Sequence, residues 1–258
     1  MGYVATISPW AAVHGEIGAR CEVGAFAVIE TGASLGAGCT THSHVVVGEG
    51  ARIGDGCVLH PHAVIGPGVV IGSGTEIFHS AVVGKEPRAT SAVARAVGSS
   101  ASLSIGPGCV IGAHATIYYG TEIGESTLVG DGASIREGAR IGARCIISRC
   151  VTLNYSVLIG DDVKVMDNTH LTGGTRIDDG AFVSTMVATT NDNRPTEELA
   201  GRELSGPRIG SGAVVGAGAV LLPGVVLGPG SVVAAGALVS ADVAAGVTVL
   251  GVPARPRA

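Results

Sequence analysis

The chain has 258 residues and a net charge of −5, with 14% charged and 3% aromatic side chains against 42 glycines. So few bulky residues cannot fill a conventional layered core, which leaves that work to small aliphatics. The acidic balance excludes the basic footprint of a nucleic-acid binder. Gly, Pro, Ser or a charge also interrupts each apolar run before the ~18 residues a membrane helix needs, so no membrane partner is expected.

The opening MGYVATISPW lacks the basic start and unbroken apolar stretch of a secretory signal, which predicts a cytoplasmic protein. From Ile17 a six-residue period takes over. Aliphatic residues recur at every sixth position to Val83, resume at Ile105 and continue to Val183, then restart at Ile209 and run to Val239. Of 33 such positions 31 are Ile, Leu or Val, the exceptions being Thr41 and Thr189. A small or β-branched residue sits two before each aliphatic and usually a Gly one after. A two-residue strand with alternate residues inward, followed by a Gly in a tight corner, accounts for the pattern. Three hexads close a triangular coil of about 18 residues whose neighbours stack at the strand spacing of ~4.8 Å. The fold class is therefore all-β, a parallel β-helix solenoid forming one domain over 1–258. Its interruptions at about 85–104 and 190–208 are too long for corners and predict two projecting loops, and a short tail follows at about 241–258.

Cys21, Cys39, Cys57, Cys109 and Cys145 occupy the inward small slot and read as core filler, with no CxxC pair to suggest a metal or disulfide. His42 with His60, and His44 with His62, lie one coil apart and should stack in two columns. A zinc set of two close histidines with one about two coils away is not matched, since the only histidine near His114 on either side is His79, so no metal is expected.

Corner residues other than Gly cluster in the middle coils. In steps of 18, one edge reads Tyr118-Tyr119, Arg136-Glu137, Asn154-Tyr155, Thr172-Gly173 and Thr190-Asn191. A second reads Ser148-Arg149, Met166-Asp167 and Ser184-Thr185, with Asn168 and His170 just beyond, while the third stays plain at Gly124, Gly142, Gly160 and Asp178. Asn and Thr there can form stabilising ladders, and Arg136 beside Glu137 can be a solvated ion pair.

The hexad pattern resembles the hexapeptide-repeat acyltransferases, and that resemblance implies a left-handed β-helix and a homotrimer with active sites between subunits. The stretch ESTLVGDGASIREGARIGARCIISRCVTLNYSVLIG is similar to the active-site region of UDP-N-acetylglucosamine acyltransferases and bacterial sugar N-acetyltransferases. Where those families carry a catalytic histidine, this sequence has Glu137. MDNTHLTGGTRIDDGAFVSTMVATTNDNR resembles acetyltransferases of nucleotide-linked 3-amino-3,6-dideoxy sugars, and GALVSADVAAGVTVLGVPARPRA resembles a coenzyme-A-binding tail. Together these imply an enzyme that moves an acetyl group from acetyl-CoA to the amine of a nucleotide-linked sugar, dTDP being the expected carrier. Another amine or hydroxyl acceptor in secondary metabolism, or a non-catalytic scaffold subunit, are the alternatives. Acyl transfer to an amine needs a proton acceptor and a donor for the developing oxyanion. Glu137 is the first candidate acceptor and His170 the second, with the backbone N–H of Tyr155, or a neighbour's, as the donor. Tyr118, Arg136, Asn154, Asp167 and Asn168 are candidates for holding the sugar, and Arg208 and Arg255 for the coenzyme's phosphates.

Overall fold

The computed structural model describes residues 4–90, 97, 102–194 and 204–257. Those residues form a three-sided, left-handed parallel β-helix of about 12 turns. Its walls are parallel sheets of 14, 12 and 11 strands, here called the first, second and third in the order the chain visits them. Most strands are two residues long, one pointing out and one in. The inward residues Ile29, Leu59, Ile65, Ile117 and Ile135 are fully buried. Equivalent residues one coil apart pair directly, as in Val58 with Glu76, Val64 with Val82 and Ser134 with Thr152. The core is a single column along the axis, so each coil depends on its neighbours. Among the described residues no helix is long and apolar enough to cross a membrane.

Three details differ from the sequence reading. First, the Gly after each aliphatic is there for space. An added Cβ at Gly36, Gly72 or Gly124 would meet the next coil's backbone at 2.4–2.8 Å. The left-handed conformation falls two residues later, at Gly38, Gly74 and Ser126.

Second, the helix starts before Ile17. Strands Thr6–Ile7 and Ala12–Val13 pair with Glu22–Val23 and Val28–Ile29. The corner His14-Gly15 is two residues shorter than later corners, so Val13 and Ile17 are four apart and the six-step count breaks.

Third, the segment after Val239 adds to the helix. Val243 bridges Leu227, Thr248–Leu250 extends the first sheet in parallel, and Arg255–Pro256 turns back antiparallel on it. Of the two interruptions, strand Val82–Lys85 carries the chain out of the coil, and Asn191–Arg194 and Leu204–Pro207 are described. Residues 91–96, 98–101 and 195–203, for which the sequence predicts projecting loops, lie outside the described residues.

The plain third edge, between the third and first sheets, is sealed from inside. Cys21, Cys39, Cys57, Cys109 and Cys145 donate S–H to the carbonyls of Gly36, Gly54, Gly72, Gly124 and Gly160 at 2.9–3.3 Å. Thr75 and Thr127 fill the same slot and donate to Gly106 and Gly142. Its Asp side chains cap amides, Asp161 on Ala143 and Asp179 on Asp161.

Candidate active site

The two decorated edges are the two borders of one wall, the second sheet. Between them the outward row of that sheet changes character along the axis. It runs Val28, Val46, Val64, Val82, then Thr116, Ser134, Thr152, His170, Ala188, then Val220, Leu238. Each is in register with the next on the adjacent strand. Polar side chains therefore replace apolar ones on this wall only in the coils where both borders are decorated. His170 stands in this row, its Nδ1 2.7 Å from the Thr152 hydroxyl. Neighbouring protein strips water from the imidazole and draws its pKa below the usual histidine value. Beneath it, Thr189 explains its break in the aliphatic register. Its buried hydroxyl accepts the Thr172 N–H at 2.7 Å and donates to the His170 carbonyl at 3.3 Å.

Glu137 is buried at 7% exposure rather than solvated, and its carboxylate takes Arg136 in a two-pronged pair, Nε to Oε2 at 3.0 Å and Nη2 to Oε1 at 3.1 Å. The Arg136 guanidinium lies 5.7 Å from the Tyr118 ring centre, and Lys85 Nζ lies 5.1 Å from the same ring. Such a two-pronged clamp fixes the guanidinium, which suits orienting Arg136. Tyr119 turns inward, its hydroxyl donating to the Pro67 carbonyl at 2.8 Å.

Tyr155 does not offer its N–H to a ligand as the sequence suggested, because Asn154 Oδ1 accepts it at 3.0 Å. Its ring lies across Gly173, whose missing Cβ leaves the room. Asn191 Nδ2 donates to both the Tyr155 hydroxyl and the Gly173 carbonyl, at 3.3 and 3.1 Å. On the opposite border Asp167 is committed within its corner. It accepts from Ser148 Oγ, from the Arg149 N–H at 3.0 Å and from the Arg149 guanidinium, which together hold its pKa down at about 2. Asn168 adopts a left-handed conformation at φ 58°. Of thirteen non-glycine residues with positive φ among those described, eight lie on this second edge, between the first and second sheets: Phe26, His44, His62, Ser80, His114, Cys150, Asn168 and Met186. Each costs about 1–2 kcal/mol relative to Gly, so the strain marks this border as one shaped by more than coil stability.

The histidine columns form lower on the same edge. His42 stacks on His60 at 5.1 Å and His44 on His62 at 4.8 Å, and His60 Nε2 bonds Glu76 at 2.7 Å. No group of three or more His, Cys, Asp or Glu among the described residues is arranged to hold a metal ion. Arg208 stands on the third sheet, paired with Asp178 at 3.2 Å, and Arg255 on the terminal strand of the first. The wall thus brings His170, Thr152, Asn154, Tyr155, Arg136 and Glu137 to one sheet and its border, and leaves Arg208 and Arg255 elsewhere. Thr116, Ser134 and Thr152 were missed as a group. Their signal lay in the residue before each aliphatic, read at steps of 18.

These features define a hexapeptide-type parallel β-helix with one wall and its borders furnished for polar chemistry. The chain belongs to the hexapeptide-repeat family. The bacterial transferase hexapeptide model matches residues 44–79, 120–154 and 206–241, and the hexapeptide repeat of succinyl-transferase matches 16–49. Among curated proteins nothing matches. Solved structures resemble it at low identity. The UDP-N-acetylglucosamine acyltransferase of Arabidopsis is 22% identical over 97% of this chain and 73% of its own, with a TM-score of 0.48. That of Moraxella catarrhalis is 19% identical over 97% and 73%, with a TM-score of 0.44. PerB from Caulobacter crescentus, solved with CoA and GDP-perosamine, is 22% identical over 57% and 59%, with a TM-score of 0.28.

Proposed function

We propose that the chain is a coenzyme-A-dependent N-acetyltransferase acting on a nucleotide-linked 3-amino-3,6-dideoxy sugar, probed first as the dTDP form, and that it works as a homotrimer with sites between subunits. The observation that carries the reading is the confinement of polar outward residues on the second sheet to Thr116, Ser134, Thr152 and His170, between two decorated borders. A structural coil needs no such row. The match to transferase hexapeptide repeats agrees with it.

His170 is the base in this reading. With the imidazole proton on Nδ1 and shared with Thr152 Oγ1, Nε2 carries the free lone pair. A lowered pKa keeps the ring neutral at pH 7. Nε2 takes a proton as the sugar amine forms its bond to the thioester carbonyl carbon. The C–S bond breaks, and the same proton passes to the departing sulfur. Glu137 fixes Arg136, and Arg136, Lys85, Tyr118, Asn154 and Tyr155 hold the acceptor. Acetyl-CoA supplies the acetyl group as a cosubstrate, and no residue is assigned to bind a metal.

The test is thiol release from acetyl-CoA with a panel of amino-sugar nucleotides, beside light scattering for the trimer. Turnover with a 3-amino-3,6-dideoxy sugar nucleotide is expected. Turnover only with simple amines or alcohols would move the acceptor, and no release across the panel would favour a scaffold.

A further inference from the structure

The third sheet carries a file of arginines of which only Arg208 has been given a part, and that from the sequence alone. Arg140, Leu158, Arg176 and Arg208 are outward residues on four consecutive strands, and Arg176 pairs in register directly with Arg208. At ~4.8 Å per strand the file spans about 15 Å. Like charges in register on adjacent strands repel and need something between them. The carboxylates nearby are mostly spent. Asp178 takes Arg208, Glu122 takes Arg140 at 3.5 Å from the far side, Asp179 caps the Asp161 N–H, and Arg144 holds Asp161 and Asp162. Arg176 has no ion pair among the described residues. A groove runs along the file, lined by Arg140, Leu158, Arg176 and Arg208 together with the carboxylates Asp178 and Asp179.

We propose that this groove binds the pyrophosphate of a phosphorylated ligand, with Arg176 and Arg208 as its central pair and Arg140 at its end. Guanidinium groups present paired N–H donors that fit phosphate oxygens, and a bridging anion relieves the repulsion of the in-register pair. Its place in the coil supports the assignment. Arg176 follows His170 by six residues, around the border Thr172-Gly173-Gly174, so phosphates held on the third sheet lie one border away from the imidazole on the second. The assignment concerns binding and does not need turnover. Two ligands bring this chemistry, coenzyme A and the nucleotide of the acceptor.

The experiment is calorimetric titration of the full chain with CoA, dTDP and inorganic pyrophosphate at low salt. Wild type is compared with Arg176→Gln and with Arg176→Gln/Arg208→Gln, all checked for an unchanged melting temperature. About tenfold weaker binding is expected in the single variant and about a hundredfold in the double, with a shallower salt dependence. Loss confined to CoA assigns the groove to the coenzyme, and loss confined to dTDP assigns it to the nucleotide. Equal affinities in wild type and variants, or no binding of any of the three by wild type, overturn the proposal.

Discussion

His170 and Thr152 face each other across adjacent strands of the second sheet, Nδ1 to hydroxyl at 2.7 Å, in a row that is apolar everywhere beyond these middle coils. This contact fixes the ring. Replacing His170 with Asn should lower kcat by about 10²–10⁴ with the fold intact, the range that loss of a general base produces. Thr152→Val should lower kcat less, by about tenfold, because the base remains and only its positioning is lost. Steady-state thiol release checks both, and wild-type turnover in the Asn variant would remove His170 from the mechanism.

The pH dependence follows from the direction of the His170 shift. Water loss disfavours the charged ring, so the folded-state pKa lies below the unfolded one. Activity should be flat near neutrality and fall on the acid side with a midpoint under the ordinary ~6.5 of histidine. The same sign governs stability: the contribution of this group is complete above about pH 6.5 and is lost as pH falls through the folded pKa. The His170→Asn residual rate should lack that acid limb.

Glu137→Gln separates clamp from base. Glutamine leaves Arg136 a single uncharged acceptor in place of the two-pronged pair, so KM for the acceptor should rise about tenfold while the acid limb of kcat stays in place. If kcat instead collapses and the limb vanishes, the proton acceptor is Glu137.

Much of this was legible in the sequence because a solenoid repeats one local rule. The aliphatic step placed the inward residues, and steps of 18 placed Glu137, Tyr155 and Gly173 on one border. What the sequence hid were side-chain commitments. Nothing in the spacing says that Asn154 turns its amide oxygen onto the Tyr155 N–H, or that Asp167 spends itself on Ser148 and Arg149. The short corner at His14-Gly15 hid the first coil for a simpler reason, since it breaks the count. The row through Thr152 was overlooked because outward strand positions vary freely in a repeat, and only its confinement to the middle coils of an otherwise apolar wall gives it meaning.

Gly173 and Tyr155 form a packed pair that can be tested as one. A Cβ at Gly173 would lie 2.4–2.8 Å from the Tyr155 ring, so Gly173→Ala must push the ring away from Asn191. The cost should be about 1–3 kcal/mol by denaturant titration, the usual range for overpacking. Adding Tyr155→Ala should recover part of that loss, giving a coupling of about 1 kcal/mol in the double-mutant cycle. Additive effects would mean the two residues do not share the space assigned to them.

The thiols give a test of the fold itself. Cys21, Cys39, Cys57, Cys109 and Cys145 are buried, and Cys150 alone among the six is exposed. Burial also raises the pKa of Cys21, Cys109 and Cys145, which suppresses the reactive thiolate. A disulfide reagent should therefore titrate one thiol in the native protein and six in guanidinium chloride, and Cys150→Ser should remove the fast one. Cys39→Thr should cost less than about 1 kcal/mol, since Thr75 and Thr127 already make the equivalent bond to a corner glycine carbonyl. Cys39→Val has the shape of the Thr variant but drops the donor to the Gly54 carbonyl, and should cost about 1 kcal/mol more than Thr. Equal stability of the Thr and Val variants would show that the slot selects for size, with the hydrogen bond incidental.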